Sequence, residues 1–289
     1  MDANLVRRVA FALVAIPLAL LVVWYGGVAL VCLLAVVSAL GAGELLMLVE
    51  RQGVRGARVL GIAASAAVAP VVYAAMMDGN GSGEQIREFW PYLAALWLIA
   101  ILTWALAERA SAERPMEAVA VTLLAVAYCG ALPAFLLTIR HAEYPTRSWA
   151  GAWLVFYPLV VTWVCDTAAM FGGRAIGGPK LAPAVSPGKT RSGSLAGVVS
   201  GLAVAPLFAR VIFPRVGVSV GLGSLLAMAG VLGVVGQVGD LAESLFKREA
   251  GVKDSSHLIP GHGGVLDRLD SLYFVVPVSA ALYRFFGVI

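Results

Sequence analysis

Two pairs of acidic residues near the C-terminus could bind a hard metal ion. Asp240 and Glu243 are three residues apart, as are Asp267 and Asp270, so each pair shares one face of a helix if its segment is helical. Carboxylate oxygens at the ends of two neighbouring helices make a site suited to Mg²⁺ rather than to zinc. The sequence therefore predicts metal binding within residues 240–270.

Cationic residues are concentrated beside these carboxylates. They are Lys247, Arg248, Lys253 and Arg268. Acidic residues alone would hold a metal and basic residues alone a phosphate, so the combination favours a metal-bound phosphate or diphosphate group. A structural alternative stays open for each cluster taken separately, because acidic residues stabilise helix starts and Lys or Arg can anchor a helix at a membrane surface.

A second polar region, residues 165–194, holds a carboxylate and a candidate phosphate cradle. Asp166 lies within or at the end of an apolar stretch, where burying a charged side chain costs roughly 2.5–3.5 kcal/mol, so we expect it to face a polar cavity or a partner. The run SPGKT, residues 186–190, follows in a Gly- and Pro-rich segment typical of an irregular loop. Its hydroxyls, lysine and backbone N–H groups could hold phosphate, although the glycine spacing excludes a Walker-type NTPase. A plain loop with lysines remains the alternative.

The elements that carry these residues are membrane-spanning helices. The chain is 60% hydrophobic and 13% charged, whereas about a quarter of the residues in soluble domains are charged. Its apolar stretches reach the roughly 17–25 residues that cross a bilayer. We therefore expect an all-α, polytopic transmembrane protein with nine spans. The predicted spans are Val9–Tyr25, Val28–Leu48, Val59–Met76, Pro91–Leu106, Ala118–Ile139, Ala152–Phe171, Gly193–Phe213, Val218–Leu245 and Leu269–Phe286.

The distribution of basic residues predicts the orientation. With nine spans, fifteen Lys and Arg residues fall on the face of the N-terminus and six on the other, so the positive-inside rule places the N-terminus in the cytoplasm. Loops 172–192 and 246–268 then face the cytoplasm. We expect residues 1–148 to form N-terminal transmembrane helices and residues 149–289 to form the catalytic region.

Composition argues against several other classes. Cys32, Cys129 and Cys165 all lie in predicted spans without paired spacing, which disfavours a disulfide framework or a structural zinc site. The net charge of +4 follows from topology, so no nucleic-acid partner is expected. A bacterial inner membrane is the expected location, and homodimer formation is left open.

Residues 244–270 resemble the signature of the CDP-diacylglycerol synthase family, also called phosphatidate cytidylyltransferases. The matching positions are Ser244, Lys247-Arg248, Lys253-Asp254, Ser256, Pro260, His262-Gly263-Gly264 and Asp267-Arg268-Leu269-Asp270. The central region is similar to the family's second motif at Asp166-Thr167, Lys180-Leu181, Pro183, Ser186-Pro187, Lys189-Thr190 and Gly193. Met170 and Ser192 stand where that motif usually has Tyr and Glu.

The resemblance implies transfer of a cytidylyl group from CTP to phosphatidic acid in a lipid bilayer, with Mg²⁺ as cofactor and the presence of a second cation open. Asp240, Asp267 and Asp270 are the expected metal ligands. The expected phosphate-binding cations are Lys189, Lys247, Arg248, Lys253 and Arg268. Substrate contacts are also expected from Asp166, Ser186, Thr190, Glu243, Ser244, Asp254, Gly263 and Gly264.

The sequence also gives expectations for two histidines and leaves two alternative functions open. His262 is a candidate catalytic residue, favoured as a phosphate hydrogen-bond donor or loop organiser over a general base, and His257 is expected to be a solvated loop residue. An ion-coupled transporter is the alternative from another class, although it would distribute charges over several spans. Another CTP-using lipid enzyme, such as a polyprenol kinase, is the alternative within related chemistry.

Overall fold

The computed structural model describes residues 13, 17–77, 82–110, 113–259, 261 and 263–289, which are mostly helical. The helices are α1 (17–25), α2 (Gly27–Glu50), α3 (Arg58–Met76), α4 (Ser82–Glu108), α5 (Pro115–His141), α6 (Trp149–Ile176), α7 (Arg191–Arg215), α8 (Leu222–Glu249), α9 (Leu266–Leu269) and α10 (Leu272–Phe285). Among the described residues, seven helices, α2 to α8, are long and apolar enough to cross a membrane. The all-α polytopic membrane fold is therefore confirmed.

The second to eighth predicted spans each correspond to one of these seven helices. The first, Val9–Tyr25, lies partly outside the described residues. The last corresponds to the short α9 and to α10, which has 14 residues. The number nine and the cytoplasmic N-terminus stay predictions.

Several helix ends extend beyond the predicted spans. Helix α4 begins at Ser82 instead of Pro91, and Pro91 lies inside the helix. Helix α6 runs on to Ile176, so it includes Asp166 well before its end. Apolar patterns mark the part of a helix that suits lipid, whereas backbone hydrogen bonding continues into the polar flanks.

The segment predicted as an irregular loop contains a small hairpin. Strands β1 (Lys180–Ala182) and β2 (Ser186–Thr190) pair antiparallel, with Lys180 opposite Thr190 and Ala182 opposite Ser186. The loop prediction was wrong here, because a short turn allows both polar strands to satisfy their backbone groups. Helix α7 follows directly, and the Thr190 hydroxyl caps it by accepting a 3.1 Å hydrogen bond from the Gly193 N–H.

The chain divides into two compact units. The first unit comprises Gly27–Leu137 and Glu249–Arg268, and the second comprises Thr138–Arg248, Leu269–Ile289 and the described part of 10–26. The expected division into 1–148 and 149–289 stays a prediction.

Side-chain hydrogen bonds hold the first unit together. The Thr122 hydroxyl on α5 accepts from the Ala57 N–H at 2.9 Å, and the Ser65 hydroxyl on α3 lies 3.3 Å from the Ala125 carbonyl. Helix α5 contains a π-helical turn, Val126–Ala131, at whose Gly130 a Cβ would lie 3.0 Å from the Ser65 Cα. Small residues thus permit close helix approach.

Two buried tyrosines fix the helices of the second unit. The Tyr157 hydroxyl on α6 donates to the Leu225 carbonyl of α8 at 2.5 Å, and the Tyr283 hydroxyl of α10 donates to the Leu154 carbonyl at 2.8 Å. These bonds set α8 and α10 against α6, the helix that carries Asp166.

Candidate active site

Three carboxylates and one lysine form a cluster in the second unit. The Lys189 Nζ lies 2.6 Å from the Asp240 Oδ2. The Asp166 carboxyl interacts electrostatically with both of these side chains, and Asp270 interacts electrostatically with Asp240 and Asp166. We call these four residues the acidic cluster.

The members of the acidic cluster come from four different elements. Asp166 lies on α6, Lys189 near the end of β2, Asp240 on α8, and Asp270 between α9 and α10. A Cβ at Gly239 would lie 2.8 Å from the Asp270 carbonyl oxygen, so glycine is what lets α8 approach the segment before α10. The central carboxylate, Asp240, also accepts a 3.3 Å hydrogen bond from the Ser244 hydroxyl through its Oδ1.

The three carboxylates of the acidic cluster repel one another. Asp270 is half-buried and lies outside the seven long helices. Burial, followed by the nearby Asp240 carboxylate, raises the pKa of its carboxyl to about 7, and the hydrogen bond from the Ser271 N–H opposes the rise. Carboxylates that repel one another favour a bound cation, which would relieve the repulsion.

The other predicted residues of α8 have partners within the second unit. Lys247 forms an ion pair with Glu243 one turn earlier, and only 8% of Lys247 and 1% of Glu243 are exposed. Arg248 donates from its Nε to the Val185 carbonyl at 3.2 Å, which joins the end of α8 to the hairpin turn. Their assignment to phosphate stays a prediction.

Two hydroxyls of the second motif have structural partners. Thr190 caps α7, as described above, and its Oγ1 lies 3.1 Å from the Ser192 Oγ. The Ser192 hydroxyl also donates to the Gly177 carbonyl. Where the family motif usually has Glu, this chain therefore uses serine to join α7 to the end of α6. Ser186 is half-buried in β2.

The first unit contains a separate polar cavity of about 380 Å³, built from the signature loop. Its charged or ionisable lining residues are Lys253, Asp254, His257 and Arg268. Ile259, Gly261 and Gly263 complete the wall. Two permanent cations face one carboxylate, so the cavity suits an anion. His257 was predicted to be a solvated loop residue without a role, and the structure places it in this wall.

Asp267 organises the loop around this cavity. Its Oδ2 accepts hydrogen bonds from the Ser255 N–H at 2.8 Å, the Ser255 hydroxyl at 2.8 Å and the Gly264 N–H at 2.7 Å. Gly263 has a φ of +81°, and a Cβ there would lie 2.7 Å from the same oxygen. The glycine therefore serves both the turn and the close approach of the carboxylate.

Glu44 is a functional candidate that sequence analysis missed. It lies on α2 within the second predicted span, and it is 2% exposed. Its carboxylate accepts from the Ser255 and Ser256 hydroxyls at 2.9 and 2.7 Å, and from the Val265 and Leu266 N–H groups at 3.0 and 2.9 Å. The rule that a carboxylate inside an apolar span marks a site was applied to Asp166 and would have found Glu44 as well.

Comparison with known proteins identifies the family. The sequence pattern that defines the cytidylyltransferase family matches residues 6–286 of this chain. The chain belongs to the cytidylyltransferase family. It is 36% identical over 206 residues to the phosphatidate cytidylyltransferase of Haemophilus influenzae, covering 69% of this chain and 72% of that protein. The corresponding protein of Brucella suis is 47% identical over 135 residues, or 47% of each chain, and that of Bacillus subtilis is 38% identical over 170 residues, or 58% of each chain. The chain spans about half the length of these last two relatives.

The metal site of this cytidylyltransferase stays a prediction. Within the part of the chain that the structure describes, no three or more Asp, Glu, His or Cys side chains form a group that could hold a metal ion as they stand. Mg²⁺, however, is usually bound by one or two carboxylates together with waters and substrate phosphates. The oxygen donors of Asp240 and Asp270 fit that type of site. His262 lies outside the described residues.

Proposed function

We propose that this cytidylyltransferase transfers the cytidylyl group of CTP to phosphatidic acid, giving CDP-diacylglycerol and diphosphate. The observation that carries the proposal is the acidic cluster, in which Asp240 pairs with Lys189 and interacts electrostatically with both Asp166 and Asp270. Metal-binding oxygens and a phosphate-binding cation are what nucleotidyl transfer requires. The names of the relatives agree with this reaction.

The chemistry needs charge neutralisation more than proton removal. A phosphate oxygen of phosphatidic acid attacks the α-phosphorus of CTP, and the bond from that phosphorus to the departing diphosphate breaks. The second pKa of a phosphate monoester is about 6, so the nucleophile is largely a dianion at pH 7. The barrier is then the repulsion between this dianion and the triphosphate, and no general base is required.

Residues of the acidic cluster could lower this barrier by neutralising the charge on the phosphates. Asp240 and Asp270 would hold Mg²⁺, which when bound neutralises charge on phosphate oxygens. Lys189 supplies a cation that can pair with a phosphate oxygen in place of Asp240. Asp166 balances the positive charge of the site. Asp267, the third expected ligand, stays a prediction because its Oδ2 accepts three hydrogen bonds from the loop.

The cavity in the first unit supports phosphate binding independently. Lys253 and Arg268 lie in its wall, where their positive charges would attract an anion, and the Gly261 and Gly263 backbones would allow close approach. We propose that this cavity binds a phosphate group of a substrate, with His257 as a hydrogen-bond donor.

The lipid substrate and the location follow from the apolar surface. Helix α4 exposes large apolar side chains such as Phe89, Trp90 and Leu96, which suits contact with acyl chains. We propose an inner-membrane enzyme of bacterial type, with its polar site on the cytoplasmic side, where CTP is available. The charge bias of the loops supports this orientation, and the bacterial relatives support a bacterial membrane.

Labelled CTP tests the proposed reaction. Purified protein is incubated with CTP, phosphatidic acid and Mg²⁺, and the lipid is then extracted. Label from the α-phosphate in the lipid supports cytidylyl transfer. Label only from the γ-phosphate would indicate a kinase, and charged-solute flux into liposomes without CTP would indicate a transporter.

A further inference from the structure

The carboxylate of Glu44 connects two separate parts of the signature loop. Its Oε1 accepts from the Ser256 hydroxyl and the Val265 N–H, and its Oε2 accepts from the Leu266 N–H. The Ser255 hydroxyl lies 2.9 Å from Oε2 and 2.8 Å from the Asp267 Oδ2, so the two carboxylates share its proton. Each oxygen thus joins one donor from residues 255–256 to one donor from residues 265–266. All of these groups belong to the first unit.

These two pairs of donors adjoin the cavity-lining residues. Ser255 and Ser256 follow Lys253 and Asp254 and precede His257, which we call the first arm. Val265 and Leu266 lie between Gly263 and Arg268, which we call the second arm. The buried Glu44 carboxylate on α2 therefore links the two arms that carry the cations of the cavity, in addition to Asp267, which joins Ser255 to Gly264.

The local geometry requires a carboxylate at this position. Each Glu44 oxygen accepts one backbone N–H, that of Val265 or that of Leu266, and a backbone N–H can only donate. A glutamine in its place would turn its NH₂ group toward one of these N–H groups, whichever way the amide faces. Gly264 also has no room for a side chain, because a Cβ there would overlap the Ser255 hydroxyl and the Glu44 carboxylate.

We propose that Glu44 is a positioning residue for phosphate binding, acting through the two arms of the signature loop. The kinetic part of this inference rests on the proposed function. The phosphate group belongs either to CTP or to phosphatidic acid, and measuring both substrates separately distinguishes the two sources. Loss of the Glu44 carboxylate loosens the link between the arms, so it weakens binding of that substrate more than it slows turnover.

Amide hydrogen exchange tests the positioning without reference to activity. Purified full-length protein is compared with Glu44→Gln, with Glu44→Asp, and with Glu50→Gln as the matched control, since Glu50 is exposed on the same helix. We expect exchange at Val265 and Leu266 to become about tenfold or more faster in Glu44→Gln, given the usual strength of hydrogen bonds to charged groups. Glu44→Asp should be intermediate, and Glu50→Gln should match the wild type.

Steady-state kinetics then separate positioning from a merely structural role. In Glu44→Gln we expect the KM for one phosphate-bearing substrate to rise about tenfold, as for loss of a charged contact, with a smaller change in kcat. Wild-type exchange rates in both arms of Glu44→Gln would overturn the inference, as would a fall in kcat with both KM values unchanged.

A second variant covers the case in which Glu44→Gln does not fold. Ser256→Ala removes one donor of the first arm and leaves the carboxylate in place. It should speed exchange in residues 256–258 and raise the same KM by a smaller factor, whereas unchanged values for both would overturn the inference. If the wild type transfers no cytidylyl group, the proposed function fails, and the exchange data still decide the role of Glu44.

Discussion

The Lys189 Nζ and the Asp240 Oδ2 lie 2.6 Å apart, so an ion pair joins the hairpin to α8. About a quarter of each side chain is exposed, 26% for Lys189 and 30% for Asp240. The Lys189 Nζ itself is buried, so the exposed part of that side chain is its apolar stem. We propose that Lys189 exchanges the Asp240 carboxylate for a phosphate oxygen when a substrate binds.

Lys189→Met should lower cytidylyl transfer about 100-fold or more, because removing one preorganised group that stabilises developing charge typically costs that much. The measurement is the rate of α-label incorporation into lipid. Arg191→Met is the matched control, since Arg191 is an exposed cation two residues further on. Near-normal turnover in Lys189→Met would exclude Lys189 from the reaction.

Asp240→Asn and Asp270→Asn should each abolish turnover, because each removes one proposed oxygen ligand for Mg²⁺. Chelation by EDTA should have the same effect on the wild type, and added Mg²⁺ should reverse it. The dependence of rate on Mg²⁺ concentration is the measurement. Glu249→Gln, at the exposed end of α8, should keep the wild-type Mg²⁺ dependence, and the same dependence in Asp270→Asn would contradict the assignment.

Glu243→Gln should reduce the free energy of unfolding by about 3–5 kcal/mol, because it removes the buried carboxylate that forms an ion pair with the Lys247 ammonium. The double variant with Lys247→Met should recover much of this loss. Thermal unfolding in detergent measures both. If Lys247 takes part in catalysis, the double variant should be stable but inactive. If the double variant recovers both stability and activity, the pair has only a structural role.

Arg140→Leu should destabilise the second unit by about 3 kcal/mol or more, since buried carbonyls without a donor cost about 1–3 kcal/mol each. Arg140 is fully buried and donates to the carbonyls of Val23, Trp24 and Pro145 at 2.7, 2.6 and 3.1 Å. Thermal unfolding provides the measurement. Arg210→Leu, an exposed arginine on α7, should change it little, and equal effects of the two variants would refute this role.

The sequence alone was sufficient for the fold class and for most members of the candidate site. Long apolar stretches leave no alternative to helices, because unpaired backbone groups are too costly in lipid. Asp166, Lys189, Asp240 and Asp270 were identified from residue type and from the resemblance to a known signature. These features are local, so a linear pattern records them.

Tertiary structure alone decided which side chains meet. Glu44 lies 211 residues before Ser255, the residue whose hydroxyl it accepts from, and no local period links two such positions. The approach of Asp240 to Lys189 likewise depends on a hairpin that the composition of residues 180–190 did not predict. Contacts between distant residues arise from packing and from the need to satisfy every buried polar group, and both are properties of the folded chain.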